Sequence, residues 1–169
     1  MSEDRAKKIK LIIFDVDGVM TDGMIFLFPA PAGAPASSTH EHRGRMADKG
    51  GFGVSGSTVI EAKGFNAHHS TGFSLARLSG LKTAIVTKRI SETVALRARD
   101  LTIEHVYQGQ QDKAAASYEI LSKEGLQADE ACYVGDDIID LPVMRLYDLS
   151  IAVKNSREVA LLPYVSTAR

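Results

Sequence analysis

Apolar residues in this chain fall into short runs, separated by polar, Gly- and Pro-bearing breaks. Residues 9–14 (Ile-Lys-Leu-Ile-Ile-Phe) read as a strand that runs into Asp15-Val16-Asp17-Gly18. Residues 1–8 before it read as a polar tail. Met-Ile-Phe-Leu-Phe at 24–28 and the stretch 58–62 read as two strands of a hairpin with an extended tip. Residues 29–57 form a Pro/Gly-rich insertion, read as a long flexible loop. Its opening Pro-Ala-Pro-Ala-Gly-Ala-Pro-Ala-Ser-Ser opposes regular helix or strand.

Beyond Asn66 the pattern changes to helices and strands in alternation. A helix over 71–78 ends at Gly80, and a strand over 83–86 runs into Thr87. Ser91 is placed to cap a helix over 92–99, and 103–107 is a short strand. Asp112 is placed to cap a helix over 113–123, with Gly125 at its stop. The apolar run 131–134 ends in Gly135-Asp136-Asp137, and Pro142 suits the first turn of the next helix. A strand over 150–153, a short helix over 157–162 and a last strand over 164–166 complete the reading. This alternation predicts an α/β fold: a mostly parallel sheet, doubly wound, with helices on both faces.

Composition narrows the setting. A chain of 169 residues with no internal repeat fits one domain, 1–169, with a sizeable core. Its net charge of -1 gives no sign of nucleic acid or a membrane surface as partner. The single cysteine, Cys132, lies in an apolar run, which predicts a buried, inert thiol and fits a reducing compartment. The first ten residues lack the apolar core of a secretory signal, and no window reaches the length of a membrane span. Cytoplasm is the expected location.

The candidate chemistry sits where apolar runs end. Three of them deliver a polar side chain: Asp15, Thr87 and Asp136. In open parallel sheets, ligands bind outside the carboxyl ends of the strands. If these strands are neighbours, the three groups meet in one crevice. Asp15 and Asp17, two residues apart where the backbone begins to bend, are placed to converge on one metal ion or phosphate.

Asp15-Val16-Asp17-Gly18-Val19, Thr87, Lys113 and Gly135-Asp136-Asp137 resemble the four motifs of the haloacid dehalogenase (HAD) superfamily. Residues 16–23, Phe65-Asn66, 107–110 and 133–144 resemble more closely its small capless branch, which holds the 3-deoxy-D-manno-octulosonate 8-phosphate (KDO 8-phosphate) phosphatases. The resemblance covers the chain apart from the 29–57 insertion. It implies a HAD-like Rossmannoid sheet with a β-hairpin flap and no cap domain. It also implies a Mg²⁺-dependent phosphatase of the lipopolysaccharide precursor pathway, acting on an acidic sugar phosphate through an aspartyl-phosphate.

Asp15 would then be the nucleophile, and Asp15 and Asp136 the side-chain ligands of Mg²⁺, a hard ion that takes carboxylates, substrate oxygens and water. The resemblance adds the Asp17 backbone carbonyl as a metal ligand and the Asp17 side chain as acid and base. Thr87 would donate a hydroxyl, and Lys113 a point charge, to the phosphoryl group. Asp137 would orient a metal water or Lys113. For Asp140 two readings stand level: such a carboxylate behind the site, or a cap on the helix near Pro142. Asp22 reads as a turn residue.

The chain departs from the branch at two places. Where the branch follows Phe-Asn with an Arg-Asp-Gly, this chain has Phe65-Asn66-Ala67-His68-His69-Ser70, and where the branch has Thr-Gly-Arg, it has Thr87-Lys88-Arg89. Asn66, His68, His69 and Ser70 are the candidate substrate-binding segment. Arg89 and Arg97 are candidates for a substrate carboxylate, which arginine binds bidentately. A transition-metal site built from His68 and His69 with His40 and His42 has no fixed spacing to support it, so imidazoles facing solvent or substrate are expected.

The resemblance further implies a homotetramer in which the hairpin covers a neighbour's site. Residues 24–28 are apolar enough for that burial or for burial in the chain's own core. It also implies a Gly-rich tail with an Arg; the sequence stops at Arg169, where that tail would start, so weaker substrate affinity is expected. The alternatives are a sialic-acid-type 9-phosphate phosphatase and a non-catalytic phosphate-binding or scaffold homologue.

Overall fold

Leu11 and Ile13 have no exposed surface, and Ile12 and Phe14 on the opposite face are partly buried, so the first strand is packed on both faces. It is the centre of the fold. The computed structural model describes residues 2–29, 59–153, 156 and 166–167. In chain order the strands are β1 (Leu11–Phe14), β2 (Phe26–Pro29), β3 (Val59–Ala62), β4 (Lys82–Val86), β5 (His105–Tyr107), β6 (Ala131–Gly135), β7 (Leu149–Ala152) and β8 (Ser166–Thr167). The helices are α1 (Ser2–Ala6), α2 (His69–Leu78), α3 (Glu92–Asp100), α4 (Lys113–Glu124) and α5 (Leu141–Met144). Six strands form one sheet in the order β5-β4-β1-β6-β7-β8, with every pairing parallel. β2 and β3 make a separate antiparallel pair, with Phe26 opposite Ala62 and Pro29 opposite Val59.

Two cores flank the sheet. One joins Leu11, Ile13, Val86 and Tyr133 to Ile120 of α4 and Met144 of α5. The other joins Ile85 to Phe73 of α2 and Val94 and Ala98 of α3, with Phe14 packed against it. Helices on both faces explain why the strands are near-continuous apolar runs. Chain order leaves β1 in two directions, toward β4 and toward β6. The carboxyl ends of β4, β1 and β6 therefore lie side by side at the point where the winding reverses, which is where such sheets bind ligands.

Local signals explain most of the boundaries. Asp112 accepts a hydrogen bond from the Ala115 amide at 3.0 Å, and Gly125 takes φ 66° at the other end of α4. Asp22 accepts from the Met24 amide at 2.9 Å, as a turn residue does. Two expectations need correction. Residues 2–6 form a short helix rather than a tail, anchored by Arg5 donating to the Asp148 carbonyl at 3.0 Å. Ser91 occupies the N-cap position of α3, but its hydroxyl pairs with that of Thr93 at 2.7 Å and makes no cap bond. Pro29, expected to open the insertion, ends β2 instead; the rest of the insertion expected over 29–57 and the helix expected over 157–162 lie outside the described residues. Among the described residues no helix is long and apolar enough to cross a membrane. Cys132 is buried, and burial pushes its thiol up to about 12.

Candidate active site

β1 ends by handing Asp15 to a tight turn. The Asp15 amide still bonds the Val134 carbonyl of β6 at 2.9 Å, which pins its backbone to the sheet. The amides of Val19, Met20 and Thr21 then all converge on the Val16 carbonyl, at 2.8–3.2 Å. Gly18 closes this turn at φ 90°, and a Cβ there would lie 1.9 Å from Asp136 Oδ2. Only glycine lets the Asp136 carboxylate approach the first loop so closely.

The Asp15 side chain is buried, and Lys113 Nζ from the first turn of α4 lies 2.9 Å from its Oδ2. The same ammonium donates to Asp140 Oδ1 at 2.7 Å. Asp140 has no exposed surface, and it also accepts from the Tyr133 hydroxyl at 2.9 Å and from the amides of Asp136 and Asp137 at 3.1 and 3.2 Å. Four donors saturate its carboxylate. Asp140 is therefore the post that holds Lys113 and the loop after β6, and it makes no side-chain cap on α5. Asp137 caps the 3₁₀ turn Ile138–Asp140, its carboxylate accepting from the Ile138 amide at 2.6 Å, and Lys113 bonds Asp15 and Asp140 instead of it.

Asp15, Asp136 and Asp140 each offer a carboxylate oxygen, and these atoms lie within 4.8 Å of one another. Asp140 is committed to its donors, whereas Asp136 Oδ1 is buried with no hydrogen-bond partner. Burial, then the charges of Asp15, Asp140 and Asp137, push the Asp136 carboxyl up to about 7. Burial pushes Asp15 up to about 6, against the pull of Lys113. Burial alone would lower the Lys113 ammonium, but the carboxylates of Asp15 and Asp140 outweigh it and hold it above its ordinary value. An unpartnered Asp136 oxygen close to the Asp15 carboxylate, both held above their ordinary values by burial, fits a hard divalent cation.

A cavity of about 230 Å³ opens beside this cluster, lined by Asp15, Asp17, Thr87, Lys88, Arg89, Lys113, Asp137 and Ile139, with Asp136 and Asp140 outside its wall. It thus gathers the ends of β1 and β4 and the start of α4. Thr87 is buried and held by its backbone, the amide donating to Tyr107 and the carbonyl accepting from Gln110. The Asp17 carboxylate stands outside the acidic trio: its Oδ1 bonds Lys63 Nζ, and its Oδ2 lies 3.6 Å from Arg89 Nε. Arg89 also donates to Glu61 Oε2 at 3.1 Å.

The other candidates collect elsewhere. Arg97 donates to the Asn66 carbonyl and Ser70 hydroxyl at 3.2 and 3.3 Å and lies over the Phe65 ring. Asn66 Oδ1 accepts from the His68 amide at 2.9 Å, one turn before α2. His69 is partly buried, which lowers its imidazole, with Arg97 adding to the effect, and His68 is exposed. None of Asn66, His68, His69, Ser70 and Arg97 lines the cavity. Glu61, Lys63 and Tyr133 were not singled out in the sequence. The alternation Glu61-x-Lys63 was a faint signal, because it puts two opposite charges on one face of a strand end.

Comparison with known proteins places this site among relatives. No protein-family model matches the chain. It is 34% identical over 157 residues to the 3-deoxy-D-manno-octulosonate 8-phosphate phosphatase KdsC of Yersinia pestis, covering 93% of this chain and 69% of that protein. The crystal structure of the Yersinia pestis phosphatase aligns with a TM-score of 0.75, over 98% of this chain and 75% of that one. The phosphatase from Moraxella catarrhalis, solved with a magnesium ion, a phosphate ion and KDO, aligns with a TM-score of 0.74 at 31% identity, over 98% of this chain and 82% of that one. A Legionella pneumophila structure assigned to subfamily III A of the HAD superfamily aligns with a TM-score of 0.73 at 32% identity, over 95% and 72% of the two chains.

Proposed function

The chain belongs to the KDO 8-phosphate phosphatase family of the HAD superfamily, and on that premise we propose that it hydrolyses an acidic sugar phosphate, KDO 8-phosphate first, with Mg²⁺ as cofactor. The observation that carries the reading is the buried Asp15 carboxylate, beside the unpartnered Asp136 oxygen and 2.9 Å from the Lys113 ammonium, at the floor of the cavity.

Phosphate monoesters hydrolyse very slowly unaided, and two like charges must meet when a carboxylate attacks one. Mg²⁺, held by the carboxylates of Asp15 and Asp136, supplies the charge neutralisation that lets them meet. An Asp15 oxygen attacks phosphorus, the bond from phosphorus to the sugar oxygen breaks, and the phosphoryl group moves to Asp15. Lys113 has three donors and spends two on Asp15 and Asp140, so the third remains for a phosphoryl oxygen. The Thr87 hydroxyl donates to the same group. Asp17 protonates the departing alkoxide, then takes a proton from the water that hydrolyses the aspartyl-phosphate, returning Asp15 to its starting state. Arg89, already in the cavity wall, is the side chain for the substrate carboxylate.

The hairpin supports a tetrameric assembly. Met24, Phe26, Leu27, Phe28 and Ile60 are 44–55% exposed, apolar surface on both faces of the hairpin that neighbouring subunits would cover. Gel filtration with light scattering should give four chains; a clean monomer removes this part of the proposal.

The test of function is a panel of sugar phosphates assayed for phosphate release with and without Mg²⁺. KDO 8-phosphate should turn over fastest and only with the metal. Preference for a nine-carbon 9-phosphate would reassign the substrate, and no release from any member would leave a binding protein.

A further inference from the structure

Four charged side chains close a ring at the base of the hairpin. Asp17 comes from the loop after β1 and Arg89 from the loop after β4. Glu61 lies in β3, and Lys63 just beyond it. Lys63 Nζ bonds Asp17 Oδ1 and lies 3.9 Å from Glu61 Oε1, while Arg89 reaches Glu61 at 3.1 Å and Asp17 at 3.6 Å. Two positive and two negative groups make the ring neutral. Asp17 and Arg89 line the cavity; Glu61 and Lys63 stand behind them.

The Lys63 side chain has no exposed surface. Taking an ammonium fully out of water costs several kcal/mol, and an apolar side chain would fill the same space without that cost. The charge is thus tied to its partners. Two atoms of the ring, Glu61 Oε1 and Arg89 Nε, lack a hydrogen bond, yet each has an opposite charge within 4 Å. The ring therefore has a second pairing within short reach: when Arg89 turns to a substrate anion, Lys63 can serve Glu61 as well as Asp17.

We propose that Lys63 is a positioning residue for the reaction, holding the Asp17 carboxylate by Oδ1 so that Oδ2 handles the proton. The hairpin then delivers the geometry of the acid–base group. This rests on the role given to Asp17 in the preceding section.

The experiment compares Lys63→Met and Lys63→Arg with the wild-type protein on KDO 8-phosphate and on p-nitrophenyl phosphate, whose leaving group departs without a proton. Misplacing a reacting group by about 1 Å can cost about 100-fold. Lys63→Met should lower kcat on the sugar phosphate by roughly 30- to 100-fold with KM within about threefold. Lys63→Arg should recover most of it. Read as kcat/KM, which reports transfer to Asp15 and not the later hydrolysis that both substrates share, the loss on p-nitrophenyl phosphate should be at least about tenfold smaller. Thermal unfolding checks that the variants fold, and Lys63→Gln replaces Lys63→Met if that chain does not. Equal losses in kcat/KM on both substrates, or no loss, would overturn the proposal while leaving the phosphatase reading intact. A wild-type protein that releases no phosphate from either substrate would overturn the phosphatase reading, and this one with it.

Discussion

Two networks of charge meet at this cavity, and they are built to different standards. Under the sheet, Lys113 lies between Asp15 and Asp140, and every donor on Asp140 is within 3.2 Å. Its members hang from β1, β6 and α4, elements tied together by the sheet and its core. Beside the hairpin, the ring of Asp17, Glu61, Lys63 and Arg89 has two unpartnered atoms, and Asp17 and Arg89 are about a quarter exposed. Its members span two separate sheets. The first arrangement holds the proposed nucleophile and cation site. The second can exchange partners when a proton moves or a substrate anion arrives. Rigidity is placed where attack geometry matters, and slack where groups must trade contacts.

Breaking the sheet-side network should cost most. Asp15→Asn removes the attacking oxygen and should lower phosphate release by roughly 10⁴-fold or more, to background. Asp140→Ala strands the Lys113 ammonium, the Tyr133 hydroxyl and two amides, and should destabilise the chain by about 3–5 kcal/mol, read by urea unfolding. Gly18→Ala drives a methyl group into Asp136 and strains a left-handed turn. It should cost about 1–3 kcal/mol and weaken Mg²⁺ binding more than about tenfold, read by calorimetric titration.

Titration gives a gentler probe. In the metal-free protein Asp136 stands at about 7 and Asp15 at about 6, both above the ordinary 3.8. The folded chain thus holds protons that the unfolded chain releases. The stability this contributes is complete below pH 3.8 and is lost as pH rises through 6 and then 7. Melting temperatures of chelator-treated protein should fall from about pH 5 to about pH 8, and saturating Mg²⁺ should flatten or reverse the trend. On the hairpin side the smallest effect is expected: Arg89→Lys keeps the charge but loses the fork. It should raise KM for the acidic sugar phosphate by about 3- to 10-fold while changing kcat less.

The sequence carried the sheet-side network better than the hairpin-side one, for a physical reason. Apolar runs ending in Asp15, Thr87 and Asp136 mark strand ends locally, and the observed order puts β4, β1 and β6 together. Lys113 was legible only through its resemblance to a family motif, since nothing local separates it from a surface lysine. The two level readings of Asp140 were decided only by the structure, because Asp137 and Asp140 bracket one 3₁₀ turn as its N-cap and its last residue, and spacing alone does not say which carboxylate turns inward. Gly135 held the clue: a Cβ there would lie 2.7 Å from the Asp140 carboxylate. Glu61 and Lys63 show only a faint i, i+2 alternation, because their partners are set by how the hairpin docks, a tertiary fact. The same holds for α1, whose Arg5 finds the Asp148 carbonyl 143 residues away.

The central claim, that Asp15 takes the phosphoryl group, is open to direct trapping. Protein mixed with Mg²⁺ and KDO 8-phosphate would be quenched in acid within one turnover, digested and examined by mass spectrometry. The account predicts a phosphoryl adduct on the peptide bearing Asp15, absent from Asp15→Asn. An adduct on a different residue, or undiminished phosphate release by Asp15→Asn, would contradict it.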